Sequence, residues 1–475
     1  MPRRNLYLVA MVAAISLLSW QAIQGAKPKD EMMELYGLFV DAVEQVEANY
    51  VRPVSRRELL ESALKGMLQD LDPHSSFINT SEWKQFKRQI EGRFGGIGIQ
   101  VGMDPEAKRL KVIAPMVGTP AYSAGILAGD VILEIDGLST EGMNPDKAVE
   151  VLQGRPGTAV KLMVLHEGSE KTETLTMNRA IIDVPSVLAD TRKTNDQWDF
   201  MLDKDKKIGY IRISSFIQNT TEELKKALAE LKADGMKGLI LDLRDDPGGL
   251  LSSAVEISDL FIEDGAIVST KGRNTATKAY TAVKEGTYSE FPMVVLINQN
   301  SASAAEIVSA CLQDRDRAVI VGQRSFGKGS VQNILDLEDG NSVLKLTVAT
   351  YFRPSGKNIH RFKDKDKEKD EWGVSPNPGM EVKLSFEDYK NWALGRRDRD
   401  LFSTAKGRQA ETPKPEAEKP EEDGEKPEAD AKDAPKSRED NPAKERAGKK
   451  PYVDRQLDKA LAVLKEKLAT PVAKK

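Results

Sequence analysis

At 475 residues with 40% hydrophobic content, the chain holds enough material for a buried core and a smaller module. A formal net charge of −4 lends no support to a nucleic-acid partner. One cysteine, Cys311, excludes an intramolecular disulfide, and neither His-Glu-x-x-His nor paired Cys/His spacing occurs, so no metal site and no cofactor is expected.

In chain order, Arg3 and Arg4 precede an apolar run over residues 6–23, the pattern of an export segment. No good Ala-x-Ala precedes Lys27 and the run is nearly long enough to span a bilayer. Residues 1–26 are therefore read as a signal peptide or membrane anchor, and the chain as periplasmic or anchored in the inner membrane facing the periplasm. Residues 27–91 read as helices, with Met33, Leu35, Leu38, Phe39, Ala42 and Val43 on one face and Leu59, Leu60, Ala63, Leu64, Met67 and Leu68 on another. Such faces are expected to pack.

Residues 92–184 read as a small β-rich module. It opens on a glycine-rich loop, Phe94-Gly95-Gly96-Ile97-Gly98-Ile99, leading into a strand, and closes with a helix over 145–152 and a strand over 160–165. Residues 185–403 carry apolar strands at 238–244, 291–298 and 317–322, with a helix over 304–313. Residues 404–450 are dense in Pro, Glu, Lys, Ala and Asp and cannot bury enough surface to offset ordering entropy, so they read as a disordered linker. Within 451–475, Leu457, Ala460, Leu461, Val463 and Leu464 recur at helical spacing, which predicts an amphipathic helix that docks on the core or on a partner.

Chemistry concentrates in three segments. Ser301-Ala302-Ser303-Ala304 lies between a strand and a helix, and places a hydroxyl near the positive end of the helix dipole among small residues that admit a carbonyl. Ser301 reads as a structural cap of that helix. Gly327-Lys328-Gly329 offers an amine in a turn that backbone can approach closely. Serine needs a base within hydrogen-bond reach, and lysine serves when neutral. The string misses the P-loop spacing, because Gly329 follows Lys328. The Pro247-Gly248-Gly249 turn can aim N–H groups outward, which makes Gly248 and Gly249, with Ala304, candidate donors to an oxyanion. Of three histidines, His74, His166 and His360, only His360 lies where it could serve a histidine-based esterase, and Cys311 reads as a buried apolar residue.

Together these strings resemble the carboxy-terminal processing peptidases, or tail-specific proteases. The resemblance rests on Ser301-Ala302-Ser303-Ala304-Ala305-Glu306-Ile307, Leu312-Gln313-Asp314 and Phe326-Gly327-Lys328-Gly329-Ser330-Val331-Gln332, with Ala305 where the family usually has a third serine. Leu71-Asp72-Pro73-His74-Ser75-Ser76-Phe77, the strand with Tyr210, and Arg353-Pro354-Ser355-Gly356 are similar to further family segments, while residues 361–372 insert a charged stretch. The resemblance implies an α/β protease core of the ClpP/crotonase-like kind, a mixed sheet with flanking helices, beside a small β-rich PDZ domain and an N-terminal helical segment. It implies Ser303 as nucleophile and Lys328 as general base. It also implies Gln332, one helical or turn step beyond, as the group that orients the lysine.

The 92–184 module resembles a circularly arranged bacterial PDZ domain, in which Gly96, Ile97, Gly98 and Ile99 would receive a peptide C-terminus as an added strand. The expected function is that of an exported serine endopeptidase, with proteins or peptides bearing accessible C-termini as partners. Self-association and a membrane contact through the N-terminal segment stay open. So does a second reading, a catalytically silent PDZ scaffold.

Overall fold

The computed structural model describes residue 11 and residues 31–104, 108–362, 371–400 and 452–469. The expected export segment, Met11 apart, and the 404–450 linker lie outside the described residues. The described chain falls into two units. The smaller takes its described residues from the helical N-terminal region up to Trp83 and from Gln332–Thr347; the larger takes Lys84–Val331 and the chain from Val348 onward.

In the larger unit a six-stranded sheet forms the core. Strands Ile208–Ile213, Gly238–Asp242, Met293–Ile297 and Ala318–Gly322 run parallel, in that order. Val187–Leu188 and Met201–Asp203 join antiparallel on the first of them, so the sheet is mixed. A sheet covered on both faces needs apolar residues at successive positions, and these strands supply them. Leu239, Leu241, Val295 and Ile297 face helices Thr220–Ala233, Leu251–Asp259 and Ala304–Asp314. Ile240, Val294, Leu296 and Val321 face the other way, onto Ala460, Val463 and Leu464 of helix Arg455–Ala469. The C-terminal helix thus covers one side of the sheet.

A buried polar network holds that helix. Arg244 donates to Asp242 at 2.6 Å, to Asp454 at 2.9 Å and to Gln456 at 3.2 Å, and lies 4.7 Å over the Trp392 ring. Tyr210 Oη donates to Asp242 at 2.7 Å. Burial opposes charge on Asp242, yet Arg244 and Tyr210 hold its carboxyl below the ordinary range. Deleting one partner of such a pair strands the other in the interior. Arg244→Ala is therefore expected to cost about 3–5 kcal/mol, read as a lower urea midpoint.

Also in the larger unit, the β-rich module is a sheet in the order Ile99–Met103, Leu110–Pro115, Val131–Ile135, Ala159–Leu165, Thr172–Asn178, with Leu138–Ser139 added beside Val131–Ile135. Helices Pro120–Ser123 and Pro145–Leu152 pack on it, around Leu110, Ile132, Ile135 and Leu162. One expectation fails here. Phe94, Gly95 and Gly96 are not loop but belong to strand Arg93–Gly96, paired with Ala180–Asp183. Glycine is needed at Gly95 because a Cβ would collide with the Gly154 carbonyl.

The smaller unit contains helices Glu31–Asn49 and Arg56–Leu71, the latter started by a Ser55/Glu58 capping box. Strand Ser76–Ile78 pairs antiparallel with residues 343–345. The apolar face expected to pack on the first helix is left open among the described residues: Met33, Leu35, Leu38 and Phe39 are all exposed.

Candidate active site

Strand Met293–Ile297 ends at a turn fixed from several sides. Ser301 Oγ accepts from the Asn298 N–H at 2.9 Å and donates to the Leu243 carbonyl at 2.7 Å, tying two strand ends together. Ser301 is structural, but it does not cap the helix. That position belongs to Ser303, directly before helix Ala304–Asp314. Ser303 is buried and holds φ 55°, ψ −112°, a backbone region that a non-glycine residue occupies only when its surroundings enforce it. A serine on a strained strand-to-helix turn is the placement that nucleophile elbows use.

The enforcement comes from Glu306. Its Oε2 accepts the Ser303 N–H at 2.9 Å and the Lys328 N–H at 2.8 Å. Its Oε1 accepts the Gly327 N–H at 2.7 Å and the Ser325 hydroxyl at 2.6 Å. A further bond joins the same two segments, from the Phe326 N–H to the Ser301 carbonyl at 2.9 Å. The structure therefore brings the Ser303 and Lys328 backbones onto one carboxylate. The Glu306 side chain is fully buried; burial pushes its carboxyl up, against the four donors. Its role was not read from the sequence, although Ser303-x-x-Glu306 has the capping-box spacing that could have drawn attention to it.

The glycine turn departs from expectation at one atom. The Gly248 N–H, expected to face an oxyanion, donates instead to Asp246 Oδ1 at 2.7 Å. A side-chain acceptor two residues back captures this N–H in an Asx turn. Gly248 packs hard on Ser303: a Cβ there would lie 2.6 Å from the Ala302 carbonyl oxygen and 2.8 Å from Ser303 Cβ. Ala304 opens its helix, and first-turn N–H groups have no acceptor within a helix.

Asp246 itself is fully buried, and its Oδ2 has no partner among the described residues. Burial pushes its carboxyl well above the ordinary range, with only the Gly248 N–H opposing. The folded state then keeps a proton that the unfolded state releases. Stability falls as pH rises above the unfolded carboxylate range, by up to about 1.4 kcal/mol per pH unit. Asp246→Asn, neutral and isosteric, is expected to exceed the parent in stability by a margin that is wider at pH 8 than at pH 5 in urea unfolding.

Within the smaller unit, Gln332 lies on strand Ser330–Leu337 and not on a helical step. Its amide donates to Thr347 Oγ1 at 3.2 Å, and that hydroxyl donates to Asp72 Oδ1 at 3.2 Å. Asp72 also collects the His74 and Ser75 N–H groups and the Ser75 hydroxyl, at 2.7–2.9 Å. Ser75 Oγ accepts the Thr347 N–H at 3.0 Å. The Leu71–Phe77 string anchors the strand partner of Gln332.

Comparison with known proteins decides the family. The profile of peptidase family S41 matches residues 207–369, and that of the PDZ domain matches residues 111–165. A carboxy-terminal-processing protease of Bartonella bacilliformis is 36% identical over 416 residues, 86% of this chain and 89% of that protein. A carboxyl-terminal-processing protease of Synechocystis sp. is 35% identical, covering 66% of this chain and 71% of its own length. Carboxy-terminal processing protease CtpA of Bacillus subtilis is 34% identical, covering 80% and 76%.

The chain belongs to the carboxy-terminal-processing protease family. It is a serine-type peptidase with a PDZ domain, and its α/β core with a mixed sheet and flanking helices is the fold that the resemblance implied.

In the PDZ domain of this peptidase, Ile97 is buried, and its side chain joins the domain core. Gly98 has φ 78° and sits against Thr119 so closely that a Cβ would overlap its side chain. The Ile97 carbonyl accepts from Ala121 and the Gly98 carbonyl from Met116, which fixes this turn beside the start of helix Pro120–Ser123. His166 bridges Asp130 at 2.9 Å and Glu173 at 3.1 Å in the PDZ domain. The His360 N–H donates to Asn358, and its ring packs edge-on against Phe362. Burial pushes the Cys311 thiol up to about 12, so it is inert as a nucleophile.

Proposed function

We propose that this peptidase is an exported endopeptidase that captures protein C-termini through its PDZ domain and cleaves peptide bonds with a Ser303–Lys328 dyad. The observation that carries the reading is the attachment of both segments to Glu306, which fixes the two backbones relative to each other. In the proposed cycle, the neutral Lys328 amine removes the Ser303 hydroxyl proton as Oγ attacks the scissile carbonyl. The C–N bond breaks, the proton passes to the leaving amine, and an ester joins the substrate acyl group to Ser303. Water, deprotonated by the same amine, hydrolyses the ester. The oxyanion would rest on the N–H groups of Ala304 and Gly249. Gly248 joins them only if its bond to Asp246 opens. Gln332 would orient the amine from its strand.

Substrate choice follows from β-strand addition at the PDZ domain, the terminal carboxylate held by N–H groups of the Gly96–Ile99 turn. The export proposal rests on Arg3, Arg4 and the apolar run at residues 6–23. The test is cleavage of a peptide carrying a free C-terminal carboxylate, beside its C-terminal amide. Faster turnover of the acid by wild type, and none by Ser303→Ala, supports the reading. Equal turnover of acid and amide removes C-terminal recognition from it. Tight binding of the acid without cleavage by wild type favours the scaffold instead.

A further inference from the structure

We propose that Glu306 is the positioning residue of the catalytic pair, holding nucleophile and base in register through the backbone of each. The inference rests on the Ser303–Lys328 reading and adds a residue to it. A glutamate at the third position of a helix ordinarily closes a capping box, accepting one N–H from the cap residue. Glu306 does this with Ser303, and then accepts three more donors from a segment far downstream: Ser325 Oγ, Gly327 N–H and Lys328 N–H. Helix capping accounts for the first bond and not for the other three. They amount to a cross-link between the turn that carries the serine and the turn that carries the lysine.

The chemistry of the group suits the task. An ionised carboxylate offers about four acceptor positions, and here each oxygen takes two donors. Three of the four are backbone N–H groups, which cannot reverse their direction. The fourth, the Ser325 hydroxyl, is itself fixed by accepting the Val374 N–H at 2.7 Å. A glutamine in this place presents an NH2 where one oxygen stood. In one orientation that NH2 faces the Gly327 N–H and Ser325; in the other it faces the N–H groups of both Ser303 and Lys328. Either orientation breaks part of the cross-link, although glutamine caps a helix as glutamate does. The bond also commits the Ser303 N–H, which leaves oxyanion binding to other donors.

Displacing a reacting group by about 1 Å can cost on the order of 100-fold in rate. Glu306→Gln is therefore expected to lower kcat about 100-fold with KM changed less than about threefold. The second-order rate of serine phosphorylation by diisopropyl fluorophosphate, which forms the Oγ–P bond, releases fluoride and needs the activated serine but no PDZ contact, should fall by the same factor. The thermal midpoint should stay close to that of the parent.

The experiment measures peptide turnover, phosphorylation by the fluorophosphate and thermal melting for wild type, Glu306→Gln, Ser325→Ala, Ser303→Ala and Lys328→Ala in the full chain. Ser325→Ala removes one donor while keeping the carboxylate, and is expected to lower kcat by roughly tenfold, an intermediate loss on the same geometric argument. It carries the test if Glu306→Gln does not fold. Normal kcat in a folded Glu306→Gln, or in Ser325→Ala where the first does not fold, overturns the inference while the dyad stands, provided Ser303→Ala and Lys328→Ala are inactive. Should either of those two retain cleavage, the dyad falls and this inference with it.

Discussion

Lys328→Ala is expected to lower kcat/KM for peptide cleavage by about 10³–10⁴-fold, with the fold intact, and Ser303→Ala is expected to abolish turnover. The magnitude follows from what the amine must do. A serine hydroxyl is a weak nucleophile at neutral pH, and the amine must both accept its proton and return one to the leaving group. Lys328→Arg should fail almost as fully, because a guanidinium stays protonated and cannot act as a base. Gln332→Ala should cost less than either, since in the proposed cycle its amide takes no part in the proton transfer. The fold should tolerate the lysine change: what fastens this turn is the Lys328 and Gly327 N–H groups, which alanine retains at position 328. Steady-state kinetics beside circular dichroism would separate lost chemistry from lost structure, and near-normal turnover by Lys328→Ala would remove the base from the mechanism.

Gly248→Ala carries the second large effect. Gly248 holds φ 92°, where an L side chain is strained, and its Cβ would enter the space of the Ala302 carbonyl, the Ala304 nitrogen and Ser303 Cβ. All three are backbone atoms or the Cβ of Ser303, so none can swing aside as the far end of a flexible side chain would. The new methyl group must push the glycine turn away from Ser303 or push Ser303 off its constrained φ, and either motion spoils the path of attack. A loss of at least about 100-fold in kcat is expected. Binding of a C-terminal peptide to the PDZ domain should be unchanged, because the substitution lies in the peptidase core. An isothermal titration with such a peptide, run beside the kinetics, checks both halves of this expectation.

Much of the site was readable from local strings because its parts are strand ends and helix starts, which apolar runs and small residues mark clearly. Ser303 falls where strand Met293–Ile297 gives way to helix Ala304–Asp314, and Lys328 follows strand Ala318–Gly322. What was not readable depends on which distant atom an ordinary residue meets. Glu306 looks like any acidic residue in a first helical turn, and its three downstream donors exist only once the lysine segment folds over it. The direction of the Gly248 N–H is set by Asp246. The strand that carries Gln332, Ser330–Leu337, is largely exposed past its first residue and lacks the alternation that marks a half-buried strand, so the helical or turn step expected at Gln332 is a strand position instead.

Composition misled in two other places. Glycines suggested a loop at residues 94–96, where close backbone packing, not a turn, requires them. The apolar face of helix Glu31–Asn49 suggested packing, and its large side chains are exposed. The C-terminal helix was legible as amphipathic from Leu457 to Leu464, whereas the Arg244–Asp454 contact that fastens it joins residues far apart in the chain.

The central claim is that Ser303 is made nucleophilic by Lys328, and covalent labelling tests it most directly. Wild-type protein treated with a fluorophosphonate should gain one adduct by intact mass, mapped by peptide sequencing to Ser303. The adduct should be absent in Ser303→Ala and should form far more slowly in Lys328→Ala. Labelling of Ser303→Ala at an undiminished rate, or equal rates for wild type and Lys328→Ala, would contradict the account.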